Sequence, residues 1–184
     1  MGSAPSSLTE HSQTIATFQP SFRKASKIAH DAGRKVALTL SDAFCVGRYR
    51  AEFVDLIKTG TVDLVFANES ELKSLYETAD FDAALKQLRS DTKLAVVTRS
   101  EKGCVVVSKD GVVAVPAFPV GKIVDTTGAG DLFAAGFLFG LVRGAGHEKA
   151  GRLGALAAAE VIQHIGARPQ VSLKELAQKN GLPV

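Results

Sequence analysis

Asp125-Thr126-Thr127-Gly128-Ala129-Gly130-Asp131 runs directly into Leu132-Phe133-Ala134-Ala135-Gly136-Phe137-Leu138, and this stretch decides how the rest of the chain is read. Two glycines flank one alanine ahead of an acid, and small or apolar residues follow without a breaker. Glycine is needed where the backbone is strained or where another group must approach it closely. The spacing therefore predicts a tight turn that feeds a buried helix ending near Val142. The first N–H groups of such a helix lack intrahelical partners. With the positive end of the helix dipole they form a site for an anion. Asp131 at that point is either one more helix-start acid or a base held beside a phosphate.

Working outward from the turn, the pattern alternates strand and helix. Phe22, Ala25, Ile28, Ala29 and Ala32 recur at helical spacing, with Gly33 as a C-cap. Strands are predicted over Lys35–Leu40, Val62–Ala67 and Leu94–Thr98. Helices are predicted over Val46–Ile57, Asn68–Tyr76 and Phe81–Leu88. Cys104–Val107 and Val112–Val115 flank Lys109-Asp110-Gly111, a hairpin signal. Beyond the turn, a long Ala- and Gly-rich helix is expected from Glu148 to Ile165, capped by Gly166. Ser172-Leu173-Lys174-Glu175 reads as a capping box opening the last helix. Such alternation implies a parallel sheet with helices on both faces, a three-layer α/β/α fold. Ligands in these folds bind beyond the carboxyl ends of the strands. The turns after Leu40, Ala67 and Thr98 then share one rim.

Composition narrows the function classes. The chain has 184 residues, 46% hydrophobic and 22% charged, with a net charge of +3. These values suit one globular domain. No Lys/Arg run tracks a nucleic-acid backbone, and no apolar run reaches the ~18 residues that span a bilayer. Cys45 and Cys104 lack CxxC spacing, which favours a reduced, cytoplasmic protein over a disulfide or zinc site. Residues 1–17 read as a flexible segment, and residues 18–184 as the folded domain. Met1-Gly2-Ser3-Ala4-Pro5-Ser6 also fits the loose myristoylation pattern, against the plainer reading of a flexible start. The P-loop, the dinucleotide fingerprint, H-E-x-x-H and G-x-S-x-G are all absent.

Asp125 to Leu138 resembles, position for position, the C-terminal signature of the ribokinase/pfkB family of sugar and nucleoside kinases. Asn68-Glu69-Ser70-Glu71 resembles that family's N-x-x-E motif. Thr98-Arg99-Ser100-Glu101-Lys102-Gly103 resembles its T-x-G-x-x-G nucleotide loop, with Ser100 where glycine is common. The adenosine-kinase-like branch looks most similar. The resemblance implies ATP-dependent phosphoryl transfer to a hydroxymethyl group of a nucleoside or sugar, with Mg²⁺. It makes Asp131 the acceptor of the hydroxyl proton. The backbone N–H groups of Gly128, Ala129 and Gly130 would hold the transferred phosphoryl. Asn68, Thr98, Ser100 and Gly103 become nucleotide contacts, and Glu71 part of the magnesium network, through water. Asn68 and Glu71 are also close to a helix capping box, which would be stabilising with no function at all and can coexist with that role. Asp125 and the Thr127 carbonyl are either a turn or a site for a monovalent cation.

The resemblance covers residues 20–180 and corresponds to the family's C-terminal half. It implies a truncated ribokinase-like sheet that lacks the N-terminal strands and lid. An exposed sheet edge would then invite self-association. The alternative to an enzyme is a non-catalytic ATP-binding fragment or remnant without the substrate half.

Overall fold

A computed structural model of the protein describes residues 20–182. The flexible segment and the myristoylation pattern expected at the N-terminus lie outside the described residues. Helix α1 covers residues 20–31 and ends at Gly33, whose φ of +67° is left-handed. Then follow β1 (Ala37–Thr39), α2 (Ala43–Arg48), α3 (Arg50–Lys58), β2 (Leu64–Asn68), α4 (Glu69–Leu75), α5 (Phe81–Asp91) and β3 (Leu94–Thr98). The hairpin is β4 (Cys104–Ser108) and β5 (Gly111–Val115), and α6 (Ala129–Val142), α7 (His147–Val161) and α8 (Leu173–Lys179) complete the order.

The five strands lie in sequence order. β1, β2 and β3 are parallel, with Ala37 opposite Leu64 and Asn68 opposite Thr98. β4 and β5 continue antiparallel, with Thr98 opposite Cys104 and Cys104 opposite Val115. Alternate residues of each strand feed two separate cores, as the two-residue period requires. Val65, Ala67, Ala95, Val97, Val105 and Val107 face Val46, Leu72, Leu75 and Leu88 of the first helical layer. Leu64, Phe66, Val96, Cys104 and Val106 face Phe133, Phe137, Ala150 and Ala155 of α6 and α7. Strands apolar on both faces are buried on both faces. The expected three layers are present.

Three expected helices differ in extent, α5 running past Leu88 to Asp91. The predicted Val46–Ile57 helix is bent at Tyr49 (φ −120°, ψ 30°), which caps α2 and opens α3. The bend lets Val46 and the Leu56-Ile57 pair reach one core. Helix α7 stops at Val161, short of Ile165, so Gly166 is not its cap. The released Ile162 carbonyl accepts instead from Val124 N (2.8 Å) and Asp125 N (3.4 Å). The helix end is thereby committed to the segment that enters the glycine turn. Cys45 sits in α2.

α6 and α7 run antiparallel in close contact because small residues meet along their seam. A Cβ on Gly136 would fall 2.6 Å from Leu153 O, and one on Gly140 would fall 2.8 Å from Ala150 Cα. Phe137 meets Phe66 edge-on at 5.7 Å, tying α6 to the middle of β2. Gly151 of α7 rests on Val115 and Cys104, at the carboxyl end of β5 and the start of β4. The antiparallel pairing sets the start of α6 toward the end of α7, with Phe133 against Gly154, while Gly140 near the end of α6 meets Ala150 near the start of α7.

Candidate active site

Gly128 is the N-cap of α6, in the left-handed region at φ +80°. A side chain there would be strained, and its Cβ would sit 2.6 Å from Ala167 Cβ. Gly130 has neither reason to be glycine: its φ is not left-handed, and nothing lies within 4 Å of a Cβ built on it. Ala129 N donates to Thr126 O at 3.1 Å, so this N–H, one of the three expected to meet a phosphoryl group, is already engaged. The N–H groups of Gly128, Gly130 and Asp131 find no acceptor among the described residues. Asp131 itself is exposed, and its carboxylate has no partner among the described residues.

The turn is braced by Asp125. Its Oδ1 accepts from Thr127 N (2.9 Å) and Thr127 Oγ1 (2.7 Å), and its Oδ2 accepts from Gly166 N (3.0 Å). The Thr127 hydroxyl, followed by the Gly166 and Thr127 N–H groups, holds the Asp125 carboxyl at about 2. This carboxylate is a turn aspartate in its geometry, with both oxygens occupied.

β2 delivers Asn68 to the start of α4 as its N-cap. Asn68 Oδ1 accepts from Glu71 N at 2.8 Å, while Glu71 Oε2 accepts from Asn68 N at 2.8 Å. A further bond runs from Asn68 Nδ2 to Glu71 Oε1 at 2.7 Å. The capping box is therefore complete. Glu71 is buried, and desolvation raises its pKa against the pull of the Asn68 N–H, with Asp42 adding repulsion. Both carboxylate oxygens already accept, so a metal would meet Glu71 through water, on the lone pairs that remain. No group of three His, Cys, Asp or Glu gathers to hold a metal among the described residues.

The loop after β3 has a structural explanation at each end. Thr98 Oγ1 donates to Ala67 O at 3.5 Å. Gly103 has φ +82°, and a Cβ on it would fall 2.0 Å from Val115 O and 2.6 Å from Ala117 N. Only glycine lets the β5 exit pass this close. Ser100 holds φ +52°, a left-handed conformation that an L side chain adopts at a cost of ~1–2 kcal/mol. The serine occupies a position whose backbone suits glycine. Arg99 pins the loop: its guanidinium lies 3.6 Å over the Phe81 ring, and Nε donates to Glu69 Oε2 at 2.8 Å. Hydrogen bonds from Lys73 and then Arg99 hold Glu69 at about 2. Neither Glu69 nor Arg99 was singled out from the sequence. The Glu69–Lys73 pair had readable i,i+4 spacing, whereas the Arg99–Glu69 bond bridges 30 positions.

Glu160 was missed as well. It is buried in α7, where Oε1 accepts from Gln170 N (2.9 Å) and pairs with His164 Nε2 (3.1 Å). A lone acid at the end of an alanine run was the available signal. Cavities of about 410 and 440 Å³ border α7 and α8, and neither is lined by the glycine turn.

The pfkB family carbohydrate kinase model matches residues 17–174. A cytidine kinase of Thermococcus kodakarensis is 39% identical over 126 residues, covering 64% of this chain and 45% of that protein. Adenosine kinase of Saccharomyces cerevisiae is 30% identical over 155 residues, covering 78% of this chain and 45% of that protein. Among solved structures, adenosine kinase from Sinorhizobium meliloti superposes with a TM-score of 0.85 at 55% identity, over 87% of this chain and 49% of that one. A probable sugar kinase from Rhizobium etli gives 0.86 at 51% identity, over 88% and 49%. The chain thus spans about half the length of the relatives it matches. No described helix is long and apolar enough to cross a membrane. With the signature stretch, the three-layer sheet and a family match over most of its length, the chain belongs to the pfkB family of carbohydrate kinases.

Proposed function

We propose that this chain carries the phosphate-handling half of an ATP-dependent kinase acting on a hydroxymethyl group of a nucleoside, adenosine-like, or of a sugar. The observation that carries the reading is Gly130. The fold would accept a side chain there, and Gly130 lies in the first turn of α6 with its N–H unpartnered among the described residues. A glycine that neither its φ nor its neighbours require fits a ligand that approaches the backbone closely.

Phosphoryl transfer needs positioning and charge stabilisation more than covalent chemistry from the protein. The unpartnered N–H groups of Gly128 and Gly130, joined by that of Asp131, supply donors for the developing charge. One preorganised donor of this kind is worth ~3–4 kcal/mol. Ala129 shapes the turn. Asp131, exposed and unpartnered among the described residues, orients the substrate hydroxyl and accepts its proton. Asn68, Thr98, Ser100 and Gly103 line the nucleotide side, with Gly103 contributing loop shape. Mg²⁺ bound with the phosphates would offset their charge, Glu71 reaching it through water. Asp125 and the Thr127 carbonyl are the candidates for a monovalent cation. The free cysteines Cys45 and Cys104, the latter's thiol pushed up to about 12 by burial, fit a reducing cytoplasmic setting.

The test is ADP release with Mg-ATP, adenosine and a panel of sugars. Acceptor-dependent release is expected. ATP binding without any acceptor-dependent release would favour the second reading, a non-catalytic nucleotide-binding half. The half-length match to the relatives is what favours that second reading.

The outer edge of β1 pairs with no strand among the described residues. Unpaired edges recruit strands, so self-association through β1 is expected. Sedimentation velocity should show a concentration-dependent dimer, and a monomer at every concentration would refute it.

A further inference from the structure

The wall of the glycine turn is built by a loop of its own. Between α7 and α8, residues 164–170 fold back against residues 124–128. Gly166 N donates to Asp125 Oδ2 at 3.0 Å, and Ala167 closes the space beside Gly128. Both ends of this loop return to one side chain. Glu160 Oε1 accepts from Gln170 N at 2.9 Å and pairs with His164 Nε2 at 3.1 Å. Glu160 and His164 lie mostly out of solvent, with side chains 8% and 14% exposed. Glu160 Oε2 and His164 Nδ1 are buried with no hydrogen-bond partner among the described residues. A carboxylate in an alanine-rich helix end has no packing reason to be there. Burying it is unfavourable unless it holds polar partners in place.

We propose that Glu160 is a positioning residue for the glycine turn. It fastens the two ends of the 164–170 loop to α7, and the middle of that loop fixes Asp125 and walls Gly128. The proposal rests on reading the turn as the site of the transferred phosphoryl. It adds a residue that touches neither nucleotide nor acceptor and acts through Gly166 and Ala167.

The experiment has two readouts on the full chain. The first is amide hydrogen exchange without nucleotide. Glu160→Ala is expected to speed exchange at the hydrogen-bonded amides of the turn, Thr127 and Ala129, by about tenfold, leaving β3 and β4 unchanged. Glu160→Gln keeps a carbonyl acceptor at the same place and is expected to restore slow exchange. His164→Ala releases one end of the loop and should give a smaller effect of the same sign, so it carries the test if Glu160→Ala does not fold. The second readout is the ratio of ATP to ADP affinity. A loosened turn loses roughly tenfold in ATP affinity with ADP affinity unchanged, whereas general destabilisation moves both or neither. Unchanged exchange at the turn, or equal loosening of β3 and β4, overturns the proposal. A wild-type chain that binds no ATP contradicts the phosphate reading, and the exchange comparison still decides the role of Glu160.

Discussion

Asp131→Asn is expected to lower acceptor-dependent ADP release by roughly 10²–10⁴-fold, the usual contribution of a positioned general base. Asparagine keeps the size and one acceptor oxygen while losing the ability to take a proton. The fold should tolerate it, because the Asp131 carboxylate is exposed and braces no described neighbour. Its backbone N–H is unaltered, so the donors offered to the phosphoryl group remain. ATP affinity should stay within about threefold of wild type, and the loss should appear in kcat, as expected when an interaction belongs to the transition state alone. Equal turnover by the two proteins in a coupled ADP assay would remove Asp131 from the chemistry and leave it a helix-start acid.

Gly103→Ala is expected to be among the most damaging single substitutions in the fold. The new Cβ would meet Val115 O at 2.0 Å and Ala117 N at 2.6 Å, both backbone atoms that cannot swing aside. At φ +82° the alanine would also sit in a conformation strained for any L side chain. Large ΔΔG values arise where overpacking and backbone strain coincide. A loss of about 3–5 kcal/mol is expected, which in a domain of this size lowers Tm by roughly 6–20 °C. Thermal unfolding of the variant measures it. A Tm within about 2 °C of wild type would show that the close pairing of this loop with the β5 exit is not rigid.

These two residues divide what the sequence could and could not reveal. The turn and helix start that carry Asp131 were legible because their signal is local: two glycines, an acid and an apolar helix within a few positions. The strands were legible for a related reason. Runs such as Leu94–Thr98 and Cys104–Val107 are apolar on both faces, and turn residues bound them. Gly103 was read as a nucleotide contact, yet its nearest constraint is the backbone of Val115–Ala117, brought alongside only when β4 pairs with β5. The end of α7 was misread for the same kind of reason. Nothing between Glu160 and Gly166 breaks a helix, and it stops because the Ile162 carbonyl is taken by Val124 and Asp125, far away in sequence. Asn68 and Glu71 remain dual in character: the capping box is complete, and lone pairs on the carboxylate are still free for water. Contacts made by long side chains across elements, such as Arg99 on Phe81 and Glu69, left no periodic trace.

The account depends most on Gly130. If the turn serves only to start a helix, Gly130→Ala should be harmless or slightly stabilising, because nothing lies within 4 Å of the added Cβ. If the turn receives the terminal phosphate, the same methyl group stands in the ligand's place. The decisive measurement is calorimetric titration of wild type and Gly130→Ala with Mg-ATP and Mg-ADP, with Tm recorded for both proteins. The account predicts an unchanged or higher Tm and a loss of ATP affinity of roughly tenfold or more, with ADP affinity little altered. ATP binding by Gly130→Ala equal to wild type would contradict it.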